Sequence, residues 1–302
     1  MLLQSKYDII VIKNNRTLFG GEMVKYIVCN SQTAVLNRMY DEFEKCLEDG
    51  AVVSLPEQII GTQFMNRMVD DYNAGKYRYK HITLVGQREF ADIDIEEDFG
   101  LYRYLRKELI TKLDLDSKNI YYPKCLDSKN SEDDIAKYEE ILAENIADVA
   151  IVFLGAEGTI LDYKYMNEEN KRVHLLEFSK EDRTQLQKSG IQLRGNKLIS
   201  IGYENLLSAR SLFIVVLGAD KREYMVELFE NDHDEQETIL SLLNEHNNVF
   251  IFTDKEASYK SEEEVNRLIK QRQKQLLAKQ RREEEKEAKI IEKIQSDGEY
   301  NE

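Results

Sequence analysis

Lys197 to Met225 reads KLISIGYENLLSARSLFIVVLGADKREYM, and this stretch decides the fold. KLISIG is a short apolar run closed by glycine, a strand. YENLLSAR is a short helix. SLFIVVLG is an unbroken apolar run of strand length, the kind buried on both faces. DKREYMVELFE, in Asp220–Glu230, returns to helical spacing. A strand apolar on both sides, alternating with amphipathic helices, belongs to a parallel sheet covered above and below.

The same alternation continues outward. Upstream lie the strands VKYIVC, AVVSLP, HITLV, NIYYP, ADVAIVFLG and VHLLEF, and downstream NVFIFTD. Asn30 or Ser31 is placed to cap a helix reaching about Leu47, with Val35, Leu36, Met39, Phe43 and Leu47 on one stripe. Residues 59–74 form a helix with Met65, Met68 and Val69 inward. DFGLYRYLRKELITKLDL is strongly amphipathic along Leu101, Tyr104, Leu105, Leu109 and Leu113. SEDDIAKYEEILAEN carries acids in its first turn, as a helix start favours. EQETILSLLNE is a further helix. The expected architecture is an α/β domain over residues 1–256, a doubly wound, mostly parallel sheet with helices on both faces. Residues 1–23 form an N-terminal β extension that includes DIIVI. Residues 257–302 form a charged helical tail.

The bulk numbers exclude several classes. The net charge is −15, while residues from Lys255 onward hold twelve basic and twelve acidic side chains. The whole surplus therefore lies on residues 1–254, which argues against broad nucleic-acid or anionic-membrane binding. A phosphate bound to such a body is held locally, by backbone N–H groups and one or two fixed cations. No run of about 18 apolar residues and no leader pattern appears, so a cytoplasmic protein is expected. Three scattered cysteines, Cys29, Cys46 and Cys125, suit reduced thiols, and four scattered histidines show no metal-ligand spacing. No metal and no cofactor is expected. The tail has its apolar residues in two patches, Val265 to Leu277 and Ile290 to Ile294, without a sustained heptad seam. It reads as a solvated helix that offers a surface for a protein partner or a second copy of the chain.

Ligands of open parallel sheets bind at the carboxyl ends of the strands. That selects the loops after VVSLP, HITLV, VFLG and FIVVLG. The third contains a Gly-acid-Gly turn, GAEGTILDYK, with Gly155, Glu157, Gly158, Thr159, Asp162 and Lys164.

Three stretches over residues 24–256 together resemble the superfamily of glucosamine-6-phosphate deaminases/isomerases and 6-phosphogluconolactonases. FLGAEGTIL resembles the family loop Gly-x-Asp-Gly-His-Ile. The opening stretch resembles Thr-x-Gly-x-x-Thr-Leu-Leu-x-Ala-Arg followed by a strand and Gly-x-x-Lys. AGKYRYKHITLVGQREFADI resembles the approach to the family's Asp-Glu-Tyr loop. The resemblance implies a doubly wound sheet and a sugar-phosphate ligand. In deaminases it also implies an aldose–ketose isomerisation with loss of ammonia. That chemistry uses a carboxylate to move a proton between C1 and C2, and a histidine held by acids to open the sugar ring.

The sequence departs from the pattern where that chemistry lies. The phosphate loop Leu-Pro-Thr-Gly-Ser-Thr-Pro becomes Leu55-Pro56-Glu57-Gln58-Ile59-Ile60-Gly61, leaving Gly61 and Thr62 to rebuild a nest. The proton-shuttling Asp falls on Arg88, which stays protonated at neutral pH, beside a matching Glu89. Thr159 stands for the ring-opening His, and Lys164 for the acid that orients it. Glu157 replaces the loop Asp. Lys221 matches the phosphate-contacting Lys, and Lys188, Arg183 or Arg194 the lid Arg.

These departures give three expectations. The first is a catalytically degenerate, deaminase-like protein that binds a sugar phosphate or a protein partner through Gly155, Gly158, Thr159, Lys221, Lys188, Arg88, Gly61 and Thr62. The second is an active isomerase, deaminase or hydrolase using Glu89, Glu157 and Asp162 as acid and base. The third is a scaffold whose pocket is filled by Ile59, Ile60 and Tyr163. An imidazole from elsewhere, His81 or His174, poised beside a carboxylate would speak for the second.

Overall fold

The structure is a computed structural model. It describes residues 24–56, 62–93, 100–123, 131–155, 158–161, 163–180, 183–184, 195–230, 246–271, 274 and 278. The expected β extension, the helix EQETILSLLNE, Cys125 and most of the tail lie outside the described residues.

The elements follow the expected alternation: β1 (Val24–Cys29), α1 (Gln32–Phe43), β2 (Val52–Leu55), α2 (Thr62–Asn73), β3 (Thr83–Gly86), β4 (Arg88–Phe90), α3 (Leu101–Glu108), β5 (Ile120–Tyr121), α4 (Ser131–Glu144), β6 (Val149–Phe153), β7 (His174–Glu177), β8 (Lys197–Ser200), α5 (Tyr203–Ser208), β9 (Leu212–Val216), α6 (Arg222–Glu230) and β10 (Val249–Asp254). Seven strands form one sheet in the order β1-β10-β9-β6-β2-β3-β5. Every pair in it is parallel. The doubly wound α/β architecture read from the apolar strands is present.

Strand alternation sorts the two faces. Val53, Leu55, Leu84, Val149, Ile151, Phe213, Val215 and Phe252 join the core that α1, α2 and α3 supply with Val35, Met39, Phe43, Met65, Met68 and Leu105. On the other face α4 sends the Tyr138 hydroxyl to the Gly86 carbonyl at 2.6 Å. Ser31 caps α1, its hydroxyl accepting from the Ala34 N–H at 3.2 Å.

Two expectations are corrected. The amphipathic run from Asp98 does not continue as one helix to Leu115. It ends at Glu108, and Leu109 leaves helical geometry at φ −133° before a 3-10 turn over Ile110–Lys112. That change lets the consecutive Leu109 and Ile110 both reach the core, which an unbroken helix with residues 100° apart resists. Of the helix expected over residues 59–74, Thr62–Asn73 is helical, and residues 59–61 lie outside the described residues. Further, the strands read from VHLLEF and KLISIG do not join the main sheet. With β4 they make an antiparallel three-stranded sheet in the order β4-β8-β7.

The opening stretch owes its sequence to close packing. A Cβ at Gly202 would fall 2.4 Å from the backbone of Lys171 and Arg172. That strap lies there because its carbonyls satisfy the start of α5: Tyr203 N–H donates to Asn170 O at 3.1 Å and Glu204 N–H to Lys171 O at 3.0 Å. Asn205 reaches back to accept from Gly202 N–H at 2.8 Å. At the other end Arg210 pairs with Asp148 at 2.6 Å, and the buried His246 Nε2–H donates to Ala209 O at 2.7 Å. His246 Nδ1 accepts from Asn248 N–H at 3.0 Å, which fixes a neutral tautomer.

The chain divides into two compact units, Met1–Tyr259 and Lys260–Glu302. In the second, residues 262–271 are helical behind a capping box: Glu264 Oε2 accepts from Ser261 N–H at 3.3 Å and Oγ–H at 2.7 Å. No described helix is long and apolar enough to cross a membrane.

Two outcomes are expected. Gly202→Ala forces a methyl into backbone that no rotamer change can clear, and should cost about 3 kcal/mol in a urea titration. Burial pushes His246 below its ordinary 6.5, so the native state refuses a proton that the unfolded chain takes up. Stability should therefore fall as pH drops below about 6.5, and His246→Asn should flatten that slope.

Candidate functional site at the carboxyl edge of the sheet

All seven strands point the same way, so their carboxyl ends meet along one edge. The winding reverses between β2 and β6: β3 and β5 continue on one side, β9 and β10 on the other. This is the switch point at which such sheets open a crevice. The pairing of β2 with β6 is brief, Val53 with Val149 and Ser54 with Ala150. Gln87, fully buried after β3, fills the fork beyond it. Its amide donates to Ile151 O at 2.8 Å and lies 3.3 Å from Ser54 Oγ.

Gly86, Arg88 and Glu89 follow the same strand. Tyr122 covers Gly86 so closely that a Cβ there would meet its ring at 2.3 Å. Arg88 is half-buried opposite Ser200 of β8, in the register that also pairs Ser200 with His174 of β7. Glu89 is buried and turned to the start of α3. Its carboxylate accepts from the N–H groups of Phe90 at 2.8 Å, Leu101 at 3.0 Å and Tyr102 at 2.8 Å. Gly100, the cap residue of α3, offers no side chain for this task. An anion at a helix amino end is favoured by the aligned peptide dipoles and the unpaired N–H groups.

The loop after β6 is a tight double turn. Leu154 bridges to Ile160, and Ile160 to Tyr163. Gly155 N–H donates to Thr159 O at 2.7 Å, and a Cβ on Gly155 would lie 2.6 Å from Thr159 Oγ1. The Thr159 hydroxyl is thus folded back over its own turn. Gly158 adopts φ +75° beneath the ring of Tyr224 from α6, and Leu161 takes φ +57°, a left-handed conformation a leucine adopts at a cost. Lys164 lies 5.7 Å from the Tyr165 ring and 5.5 Å from the Tyr224 ring. Tyr163 is buried, its ring tilted edge-on to His174 at 5.8 Å.

The loop after β9 turns at Gly218, φ +90°. The buried Asp254 at the end of β10 holds it, accepting from Gly218 N–H at 3.0 Å and Ala257 N–H at 2.8 Å. Lys221 closes the turn through its N–H to Gly218 O at 3.1 Å and pairs its ammonium with Asp220.

Among the described residues singled out from sequence, Arg88 and Glu89 lie in β4 just beyond β3, Gly155, Gly158 and Thr159 after β6, and Lys221 after β9. Thr62 opens α2. Arg183 lies in a short helical turn. Gly61, Glu157, Asp162, Lys188 and Arg194, with the Ile59 and Ile60 of the filled-pocket reading, lie outside the described residues. Of the described imidazoles, His81 meets Asp49 at 2.9 Å before β2, at the amino edge. His174 Nδ1–H donates to Arg172 O at 2.9 Å. Among the described residues no three His, Cys, Asp or Glu side chains come together as metal ligands. Sequence reasoning missed Gln87, Asp254 and Tyr224. A buried glutamine after an apolar strand carries no periodic signal, though the Asp closing NVFIFTD is a recognisable strand-end acid.

No family model matches the chain. Over 204 residues it is 26% identical to a glucosamine-6-phosphate deaminase of Mycoplasmopsis pulmonis, covering 66% of this chain and 79% of that protein. It is 27% identical over 180 residues to one of Bacillus cytotoxicus, covering 59% and 67%. Among solved structures, a monomeric glucosamine-6-phosphate deaminase superposes with TM-score 0.68 at 17% identity, over 78% of this chain and all of that one. A 6-phosphogluconolactonase from Trypanosoma brucei gives 0.62 at 13%, over 77% and 97%. The chain is a divergent relative of the glucosamine-6-phosphate deaminases, and its fold is the one they share with the 6-phosphogluconolactonases.

If Glu89 is a helix cap, Glu89→Ala strips three N–H groups of their acceptor and should cost about 3 kcal/mol in chemical denaturation. A catalytic acid without that task would leave stability unchanged.

Proposed function

We propose that this chain binds a phosphorylated sugar at the carboxyl edge of β6 and β9 and does not carry out the isomerisation and deamination of its relatives. The observation that carries this reading is the environment of Glu89. It is the acid next to the position where deaminases place their proton-shuttling Asp, and here its oxygens are occupied by three backbone N–H groups. The shuttling position itself holds Arg88, a cation at any physiological pH. Thr159, where the relatives place a ring-opening imidazole, keeps its hydroxyl against Gly155. A hydroxyl does not exchange protons near neutrality as imidazole does.

The features that favour a ligand are the glycine turns and Lys221. Gly155 and Gly158 keep the loop after β6 narrow, and Lys221 stands at the start of α6, where the helix end adds positive potential. The net charge of −15 makes such a local arrangement necessary for any anion to bind.

The test combines binding and turnover. Glucosamine 6-phosphate should raise the melting temperature in proportion to the logarithm of its concentration above Kd. No ammonia or fructose 6-phosphate should form. Turnover that disappears in Glu157→Gln would overturn the proposal in favour of an active enzyme using Glu157 and Asp162. The absence of any shift with sugar phosphates would favour a scaffold, a reading to which the burial of Tyr122, Tyr138 and Tyr163 beside these loops lends support.

A further inference from the structure

The turn after β9 already contains an anion. Asp220 folds back over the turn, its Oδ1 2.9 Å from where a Cβ on Gly218 would lie, and the φ of +90° at Gly218 is what favours glycine there. The carboxylate pairs with Lys221, whose side chain is 12% exposed while that of Asp220 is 72% exposed. The lysine side chain is therefore largely covered, while the carboxylate paired with its ammonium faces solvent. Asp254, holding the Gly218 N–H from beneath, fixes the turn that presents both groups. The site lies immediately before α6, a nine-residue helix.

We propose that Asp220 is an internal competitor, a carboxylate in the position a ligand's phosphoryl group takes on Lys221, and that it sets the affinity of this edge for sugar phosphates. The inference rests on the reading that this edge binds such a ligand, and deepens it. The physical case is one of unequal rivals. An ion pair with a solvent-exposed member is weakly held. A phosphoryl group brings nearly two charges and three acceptor oxygens against one carboxylate, so it displaces Asp220 without unfolding the turn. The Lys221 ammonium correspondingly holds the Asp220 carboxyl below its ordinary value of 3.8, so at neutral pH the competitor is always charged. Weak binding of phosphate by the resting protein follows.

Calorimetric titration of inorganic phosphate and glucosamine 6-phosphate into four variants tests this. Asp220→Asn and Asp220→Ala should each tighten Kd about fivefold. Lys221→Met should abolish binding. Glu48→Gln, which makes the same change of charge beside the amino end of β2, should leave Kd unaltered. Unchanged or weaker affinity in both Asp220 variants, with Lys221→Met still disruptive, overturns the competitor and leaves the binding reading standing. No binding by the wild type or by either Asp220 variant overturns both. Binding that emerges only when Asp220 is replaced supports the competitor most strongly.

Discussion

The fork between β2 and β6 is the constraint on which the rest depends. The sheet grows outward from it in both directions, so the two strands share only a short ladder and then part. Parting leaves backbone groups without strand partners, and unsatisfied buried polar groups are costly. Gln87 answers with an amide that spans the gap to Ile151 O. The chain carrying Gln87 is thereby fixed beside the ends of β2 and β6. Arg88, Glu89 and Phe90 follow directly beyond the end of β3 and pair as β4 with Ser200, Ile199 and Leu198 of the small sheet.

From that constraint two kinds of residue separate. One kind keeps the scaffold closed. Gly202 admits the strap of Lys171 and Arg172, Asn205 ties the start of α5, and Asp254 fixes the turn after β9. The other kind occupies positions to which the resemblance assigns chemistry, and in the structure these side chains make local packing and hydrogen-bond contacts. Glu89 caps a helix and Thr159 braces a turn. Lys164 sits among tyrosine rings. An α/β scaffold tolerates this exchange because its stability resides in the apolar strands and their helices, not in the loops.

How much of this was legible in the sequence varied with the physics of each feature. The parallel sheet was readable because strands buried on both faces, such as SLFIVVLG, are apolar throughout. The cap of α1 at Ser31 was readable because its signal is local. The end of α3 was not, since the amphipathic spacing continues past Glu108 and tertiary packing of Leu109 and Ile110 breaks it. The departure of β7 and β8 into a second sheet was equally hidden, because pairing partners are non-local. At the site, substitutions such as Arg88 and Thr159 could be read from the resemblance. The commitment of Glu89 to α3 could not, because its donors lie twelve and thirteen residues away across a loop.

The claim that proton transfer has been surrendered is tested most directly by isotope exchange. Glucosamine 6-phosphate and fructose 6-phosphate are incubated with the protein in deuterated water, and the hydrogens on the carbons between which a deaminase moves its proton are followed by nuclear magnetic resonance. The account predicts deuterium incorporation at the rate of buffer alone, whatever the protein concentration. Incorporation that rises with protein concentration would show a working base at this edge and contradict it.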